Sequence, residues 1–372
     1  MKRIGICTFY NNNNYGSYLQ AFALKSFFSQ KGCDTHIIDF ADYTKPWNRE
    51  LRNKTICSRV RCLLLHPKLL IETIKAKFIS NQSIICSNEQ REKFHFFYKK
   101  YLCPYSGNFL DDSFSYFIVG SDQVWKVSMP GLHQVFFLRF CSPSKRISYA
   151  ASLGTETIPS YNKKQLYKYL KEFKAISVRE KTTVSLLEQL ESGIQSTLVL
   201  DPVLLVGDAF WKRYIKPNKA YPYVFMYFLD AINEHEIQIE SLLEHYPDCK
   251  IFMVDTGVKF STLTNVEYIK PDPFEFVSYI HNSLAVVTDS FHGTAFSILL
   301  NREFYVFPRH YKIYPGQSAR IYSLLELFQC KERLIYSTTD TNNIPSLNWR
   351  SINDVMGQMR EISSAFLNKS IE

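Results

Sequence analysis

The sequence predicts an α/β protein made of two successive α/β domains with a cleft between them. Three observations carry this. Short apolar runs alternate with segments of helical period as far as about residue 330, the pattern of parallel sheets covered by helices. The chain has 372 residues, more than one hydrophobic core comfortably serves. A stretch opened by Asp201-Pro202 and closed by Pro222 separates two such alternating runs.

Residues 3–9 read as a buried strand and 11–14 as a polar loop. Residues 15–30 read as a helix through Leu19, Ala23, Leu24, Phe27 and Phe28, ending near Gly32, and 35–40 as a second strand. This βαβ opening favours a parallel sheet. A basic helical insertion over about 45–105 interrupts the pattern, with a helix expected over 88–101. Alternation resumes with strands at 115–119 and 146–150, helix 161–173, strand 175–178, helix 181–190 and strand 197–200. The second run has strand 223–229, helix 233–246, strands 250–254 and 266–269, helix 273–281, strand 284–288, helix 291–300, strand 303–307 and helix 320–328. The expected domains are therefore 1–200 and 201–330, followed by a tail, 331–372, with a final helix over 352–367.

Hydrophobic residues make up 46% and charged residues 21%, which excludes a disordered chain. Aromatics reach 15%, for large cores or for surfaces that stack sugars. Of the formal charge of +9, much falls between Lys45 and Lys77, where nine Lys or Arg face two acids, Glu50 and Glu72, with leucines and isoleucines interleaved. Such a segment is either a solvated helical insertion or a face for an anionic membrane or a phosphate-bearing substrate. No nucleic-acid motif accompanies it, so nucleic acid is not an expected partner. The nine cysteines contain no C-x-x-C pair and suit neither zinc nor a disulfide framework. No signal-peptide core and no apolar run of about 18 residues occurs. A cytoplasmic location, without metal or cofactor, is expected.

Four stretches could carry chemistry, each where a strand meets a helix or a turn. Thr288-Asp289-Ser290-Phe291-His292-Gly293-Thr294 is the strongest. Asp289 or Ser290 suits an N-cap, and the free N–H groups of the first turn suit a phosphate or carboxylate. His292 then presents an imidazole to the cleft, with Gly293 leaving room for a ligand; a capping or packing role is the alternative. Gly120-Ser121-Asp122-Gln123-Val124-Trp125 offers groups for hydroxyls and a ring for a sugar, or else forms an Asx turn with a core Trp. Asn13-Asn14-Tyr15-Gly16-Ser17 lacks the glycines of a dinucleotide site but could bind substrate oxygens. Arg179, in Ser177-Val178-Arg179-Glu180, is a candidate anion clamp or one half of a surface pair with Glu180. Arg309, His310, Lys312 and Arg320 add basic groups downstream.

Together these stretches resemble the polysaccharide pyruvyl transferase family. The matching residues include Asn14-Tyr15-Gly16, Leu19-Gln20-Ala21, Val119 to Trp125, Ile147 to Gly154, Ile176 to Glu180, Leu200 to Leu204, Thr288 to Thr294 and Phe307-Pro308. They cover about residues 1–328; the basic insertion and the tail lie outside. The resemblance implies two Rossmann-like domains facing a cleft, GT-B-like, with phosphoenolpyruvate as donor. It implies a glycan or polyprenyl-diphosphate-linked oligosaccharide as acceptor, His292 as the catalytic histidine and Arg179 as an anion-binding arginine. Some relatives carry Arg two positions before this histidine, where this chain has Ser290; Arg309, Lys312 or Arg320 could supply that charge.

On this reading His292, Asp289 and Asp122 are the catalytic candidates. Arg179, Ser290, Gly293, Thr294, Arg309, Lys312 and Arg320 bind the donor. Asn14, Tyr15, Gly16, Ser121, Gln123 and Trp125 bind the acceptor. The contact with a membrane would be peripheral. The rivals are a GT-B glycosyltransferase using a nucleotide sugar and a non-catalytic glycan-assembly protein.

Overall fold

The computed structural model describes residues 1–10, 13–40, 46–70, 86–108, 113–217, 221–230, 234–263, 265–309 and 319–372. The N-terminal sheet has the order β2-β1-β3-β4, all parallel: β1 (Arg3–Cys7), β2 (Asp34–Ile37), β3 (Tyr116–Val119) and β4 (Arg146–Ser148). A further parallel pair, β5 (Ser177–Val178) and β6 (Thr197–Leu198), joins it by bridges from Ile147 to Ala175 and from Ala151 to Val178. The C-terminal sheet has the order β11-β10-β7-β8-β9, again parallel: β7 (Tyr223–Tyr227), β8 (Lys250–Val254), β9 (Val266–Ile269), β10 (Ala285–Thr288) and β11 (Glu303–Val306). This is the two-sheet, GT-B-like arrangement expected. Central strands such as β7 and β10 are buried at every position, because helices cover both faces of a parallel sheet.

The helices are α1 (Tyr15–Gln30), α2 (Pro46–Leu65), α3 (Asn88–Phe97), α4 (Ser160–Leu170), α5 (Lys181–Glu188), α6 (Pro202–Leu205), α7 (Asp208–Lys212), α8 (Glu236–Leu243), α9 (Pro273–Asn282), α10 (Phe291–Leu299), α11 (Ala319–Leu327) and α12 (Trp349–Ser370). Local chemistry sets their starts. Asp272 and Glu275 form a reciprocal capping box on α9 with Pro273 at its first position. The helix expected over 88–101 stops being regular at Phe97, passes into a wider turn over Tyr98–Leu102 and ends at Cys103, whose φ is 43°. The strand expected over 35–40 ends at Ile37, because Ile38 makes only an isolated bridge, to Tyr105.

Aromatic side chains fuse the halves. Tyr15 of α1 stacks on Phe276 of α9 at 4.5 Å, and Phe22 of α1 meets Phe274 of α9 edge-on at 5.4 Å. The tail helix α12 returns to the N-terminal half. Leu200 N–H donates to Ser363 Oγ at 2.9 Å, Lys174 Nζ donates to Ser370 O at 2.8 Å, and Lys2 Nζ donates to Ile371 O. All nine cysteines are free thiols. Among the described residues no helix is long and apolar enough to cross a membrane.

Candidate active site

Between the carboxyl ends of the two sheets lies a cavity of about 290 Å³, where open α/β sheets bind their ligands. Two helix N-termini reach it. Asn14 caps α1, its Oδ1 accepting from Gly16 N–H at 2.9 Å. Ser290, not Asp289, caps α10, its Oγ accepting from Gly293 N–H at 3.4 Å. Thr288 fixes the turn between β10 and α10: its Oγ1 donates to Tyr227 O at 2.5 Å and accepts from Ser290 N–H at 3.0 Å.

His292 is the second residue of α10, lines the cavity and is 5% exposed. Its ring lies against Gly16: a Cβ at that position would sit 1.9 Å from His292 Nδ1. No residue but glycine fits there without moving the imidazole. The Nε2 atom is buried with no hydrogen-bond partner among the described residues, and stands 3.7 Å from Asp201 Oδ2. That separation exceeds a hydrogen bond.

Asp201 is fully buried at the N-cap of α6. Its Oδ2 accepts from Ser121 Oγ at 2.7 Å and from Arg179 Nη1 at 2.6 Å, and its Oδ1 accepts from Val203 N–H at 3.1 Å. Burial opposes its charge, but His292, Arg179 and Ser121 outweigh that and hold the carboxyl well below the usual carboxylate range. Asp122, in the left-handed region at φ 71°, faces the cavity. Its Oδ2 accepts from Ser17 Oγ at 2.8 Å and its Oδ1 from Gln123 N–H at 2.8 Å. Burial again works against ionisation, while Arg179, His292 and Arg320 prevail and lower its pKa.

Cations complete the wall: Lys126, Arg309 and Arg320. Burial and the neighbouring Arg320 lower the Lys126 ammonium below its ordinary value, so an incoming anion would relieve it. With its amide oxygen toward the guanidinium, Gln123 accepts from Arg320 Nε and Nη2 at 3.0 and 3.1 Å. The cavity thus combines helix N-termini, three cations, an imidazole and a carboxylate, the equipment for holding a small anion and moving a proton.

The structure redistributes the other expected residues. Arg179 does not line the cavity. Its side chain is 1% exposed and committed to Asp201, to Glu180 at 3.0 Å and to Asp122 at 3.6 Å, with its guanidinium over the Phe291 ring; three acids surround its charge, while Nη2 has no hydrogen-bond partner among the described residues. Asp289 turns away, its two oxygens accepting from Leu229 and Asp230 N–H at 2.9 Å each. Burial raises its carboxyl to about 6 against the pull of Arg309 and those amides. It holds the loop after β7 and is not part of the cavity lining. Gly293 leaves room for Thr288, not for a ligand, since a Cβ there would sit 2.7 Å from Thr288 Oγ1. Thr294 is fully buried and donates to Ser290 O.

Ser121 is fully buried in the Asp201 cluster. Tyr15 is interior, its hydroxyl donating to Pro271 O and accepting from Gln90 Nε2. Trp125 has no exposed face for a sugar: it is fully buried, parallel to Phe137, with Nε1 donating to Phe136 O at 2.8 Å. Lys312 lies outside the described residues. Ser17 belongs to the turn expected to bind substrate oxygens, whereas Asp201 and Lys126 were not among the expected site residues. Asp-Pro after a strand is a helix-cap signal, and in the sequence it reads only as a boundary.

Among solved structures the chain is similar to UDP-GlcNAc 2-epimerase from Neisseria meningitidis, bound to UDP-GlcNAc, at 12% identity, 97% of this chain, 99% of that chain and a TM-score of 0.42. It is also similar to the glycosyltransferase SnogD from Streptomyces nogalater, at 9% identity, 98% and 95% coverage and a TM-score of 0.38. No curated protein matches the chain. The family model for polysaccharide pyruvyl transferase matches residues 14–311, a span that includes every cavity-lining residue named above except Arg320. The chain belongs to the polysaccharide pyruvyl transferase family.

Proposed function

We propose that this transferase moves the pyruvyl group of phosphoenolpyruvate to two hydroxyls of a sugar in a surface polysaccharide or its lipid-linked precursor, forming a cyclic ketal and releasing phosphate. The observation that carries the reading is His292 Nε2, buried without a hydrogen bond, beside Asp201 and between two helix N-termini. The cavity's 290 Å³ is at the small end for ligand sites, which suits a compact donor.

The chemistry follows from these groups. Lys126, Arg309, Arg320 and the start of α10 hold the donor's carboxylate and phosphate. His292, as imidazolium beside the Asp201 carboxylate, gives its proton to the methylene carbon of phosphoenolpyruvate, converting C=CH₂ to C–CH₃ and leaving oxocarbenium character at C2. A sugar hydroxyl adds to C2, and its proton passes to Asp122. The C–O bond to phosphate breaks, C2 regains oxocarbenium character, and a second hydroxyl closes the ketal as its proton leaves with phosphate. Asn14, Ser17 and Gln123 line the cavity and would orient the hydroxyls.

Ligand binding to the native state raises its melting temperature. Thermal-shift titration with phosphoenolpyruvate should stabilise the protein at concentrations where UDP- and GDP-sugars do not. Stabilisation by a nucleotide sugar, with none by phosphoenolpyruvate, would transfer the chain to the glycosyltransferase reading.

A further inference from the structure

We infer that the outer face of α2 docks on an anionic lipid bilayer, bringing the cavity to an acceptor carried in that bilayer; only the identity of the acceptor rests on the reaction proposed above. Ile56, Val60 and Leu64 are 43%, 49% and 78% exposed. Spaced by four, they form one stripe along the helix, where a helix in water would present polar groups. The stripe is flanked by charge of one sign. Over residues 46–70 there are six Lys or Arg and one acid, Glu50, which Lys54 engages at 2.6 Å. Exposed Arg49 and Arg61 border the stripe, and Lys68 follows it.

The opposite face of α2 is already used. Leu51 and Thr55 are buried, Thr55 Oγ1 accepts from Gln134 N–H at 3.1 Å, and Arg59 Nε donates to Pro130 O at 3.2 Å. The helix is therefore anchored, with its apolar stripe turned outward. Between α2 and α4 runs a groove of about 660 Å³ whose lining includes Arg49, Lys54, Arg61, Gln165 and Tyr169. Exposed Lys164 and Lys168 on α4 extend the positive field. An apolar stripe set in a basic surround matches acyl chains beneath anionic headgroups, and charge complementarity selects an anionic bilayer over a neutral one.

The location suits such a role. Gln134, which α2 holds, opens the turn Gln134–Phe137. Phe136 in that turn packs edge-on against Phe9 at 4.8 Å, and Phe9 lines the active-site cavity. The inner face of α2 is thus one aromatic layer from the cavity, and the docking face is the outer side of the same helix.

The test is flotation of the full-length protein with vesicles of phosphatidylcholine alone and with phosphatidylglycerol added. Binding should be about tenfold or more stronger to the anionic vesicles and should weaken with salt. Arg49→Glu/Lys54→Glu/Arg61→Glu should lower it by roughly a hundredfold, and Ile56→Asp/Val60→Asp/Leu64→Asp by about tenfold or more. All six positions are exposed, so melting temperature and the shift produced by phosphoenolpyruvate should stay as in the parent protein; that shift reports on the proposed reaction separately. Equal binding to both vesicle types, undiminished binding by either triple variant, or equally tight binding of a duplex DNA oligonucleotide would overturn the inference.

Discussion

The two halves bring opposite chemistry to one cavity. The N-terminal half supplies carboxylates: Asp122 in the wall and Asp201 behind it, both held ionised by neighbouring cations. The C-terminal half supplies His292, Arg309 and Arg320. Asp201 and Ser121 belong to the N-terminal turns, whereas the imidazole they face starts a helix of the other sheet and rests on Gly16 of the first. The difference teaches that the site exists only where the halves meet. Proton chemistry should then depend on contacts across the seam, and donor affinity on Lys126 together with the C-terminal cations.

The largest effect is expected at the imidazole. His292→Ala should cut phosphate release about a thousandfold, within the range for loss of a general acid, with phosphoenolpyruvate still bound. Asp201→Asn should cost about a hundredfold in rate. The same substitution has a stability signature. A carboxyl held below its unfolded-state pKa contributes stability above about pH 4 and loses it as pH falls toward its folded value. Acid melts should therefore fall less steeply below about pH 4 in the variant than in the parent. On the C-terminal side, Arg309→Ala or Arg320→Ala should raise the half-saturating phosphoenolpyruvate concentration about tenfold, leaving kcat within a few-fold. A large loss of kcat with unchanged donor affinity would erase the division of labour. Trp125→Phe is the smallest case. It should lower stability by about 1 kcal/mol through the lost bond to Phe136 O and leave donor binding untouched; a selective loss of acceptor affinity would return that ring to the site.

Much of the fold was legible because parallel strands buried on both faces leave continuous apolar runs, as in Val286 and Val287 of β10, and because caps such as Asp272 with Pro273 mark helix starts. The positions of His292 and Asp122 were legible for the related reason that ligands gather where strands end. Which neighbours share that exposure was not. Gly120 and Asp122 adopt φ of 118° and 71°, and in that turn Ser121 goes inward, Asp122 outward and Trp125 into the core, an order that neither strand nor helix periodicity gives. Arg179 looked like an anion clamp because local sequence shows only Glu180; Asp201 and Asp122, which also engage it, arrive through the fold. Asp201 was read as a boundary for the same reason, its imidazole partner being distant in sequence. The aromatic content left large cores and sugar-stacking surfaces both open; Tyr15, Phe22, Phe274 and Phe276 form the seam that joins the halves.

The most direct measurement of the central claim is the mass of the pyruvyl methyl group formed in D₂O from phosphoenolpyruvate and lipid-linked glycan extracted from the producing cells. Protonation of the methylene carbon by solvent-exchanged His292 predicts one deuterium per methyl with the parent protein and no ketal above background with His292→Ala. A ketal formed without solvent deuterium, or formed at near-normal rate by His292→Ala, would contradict it.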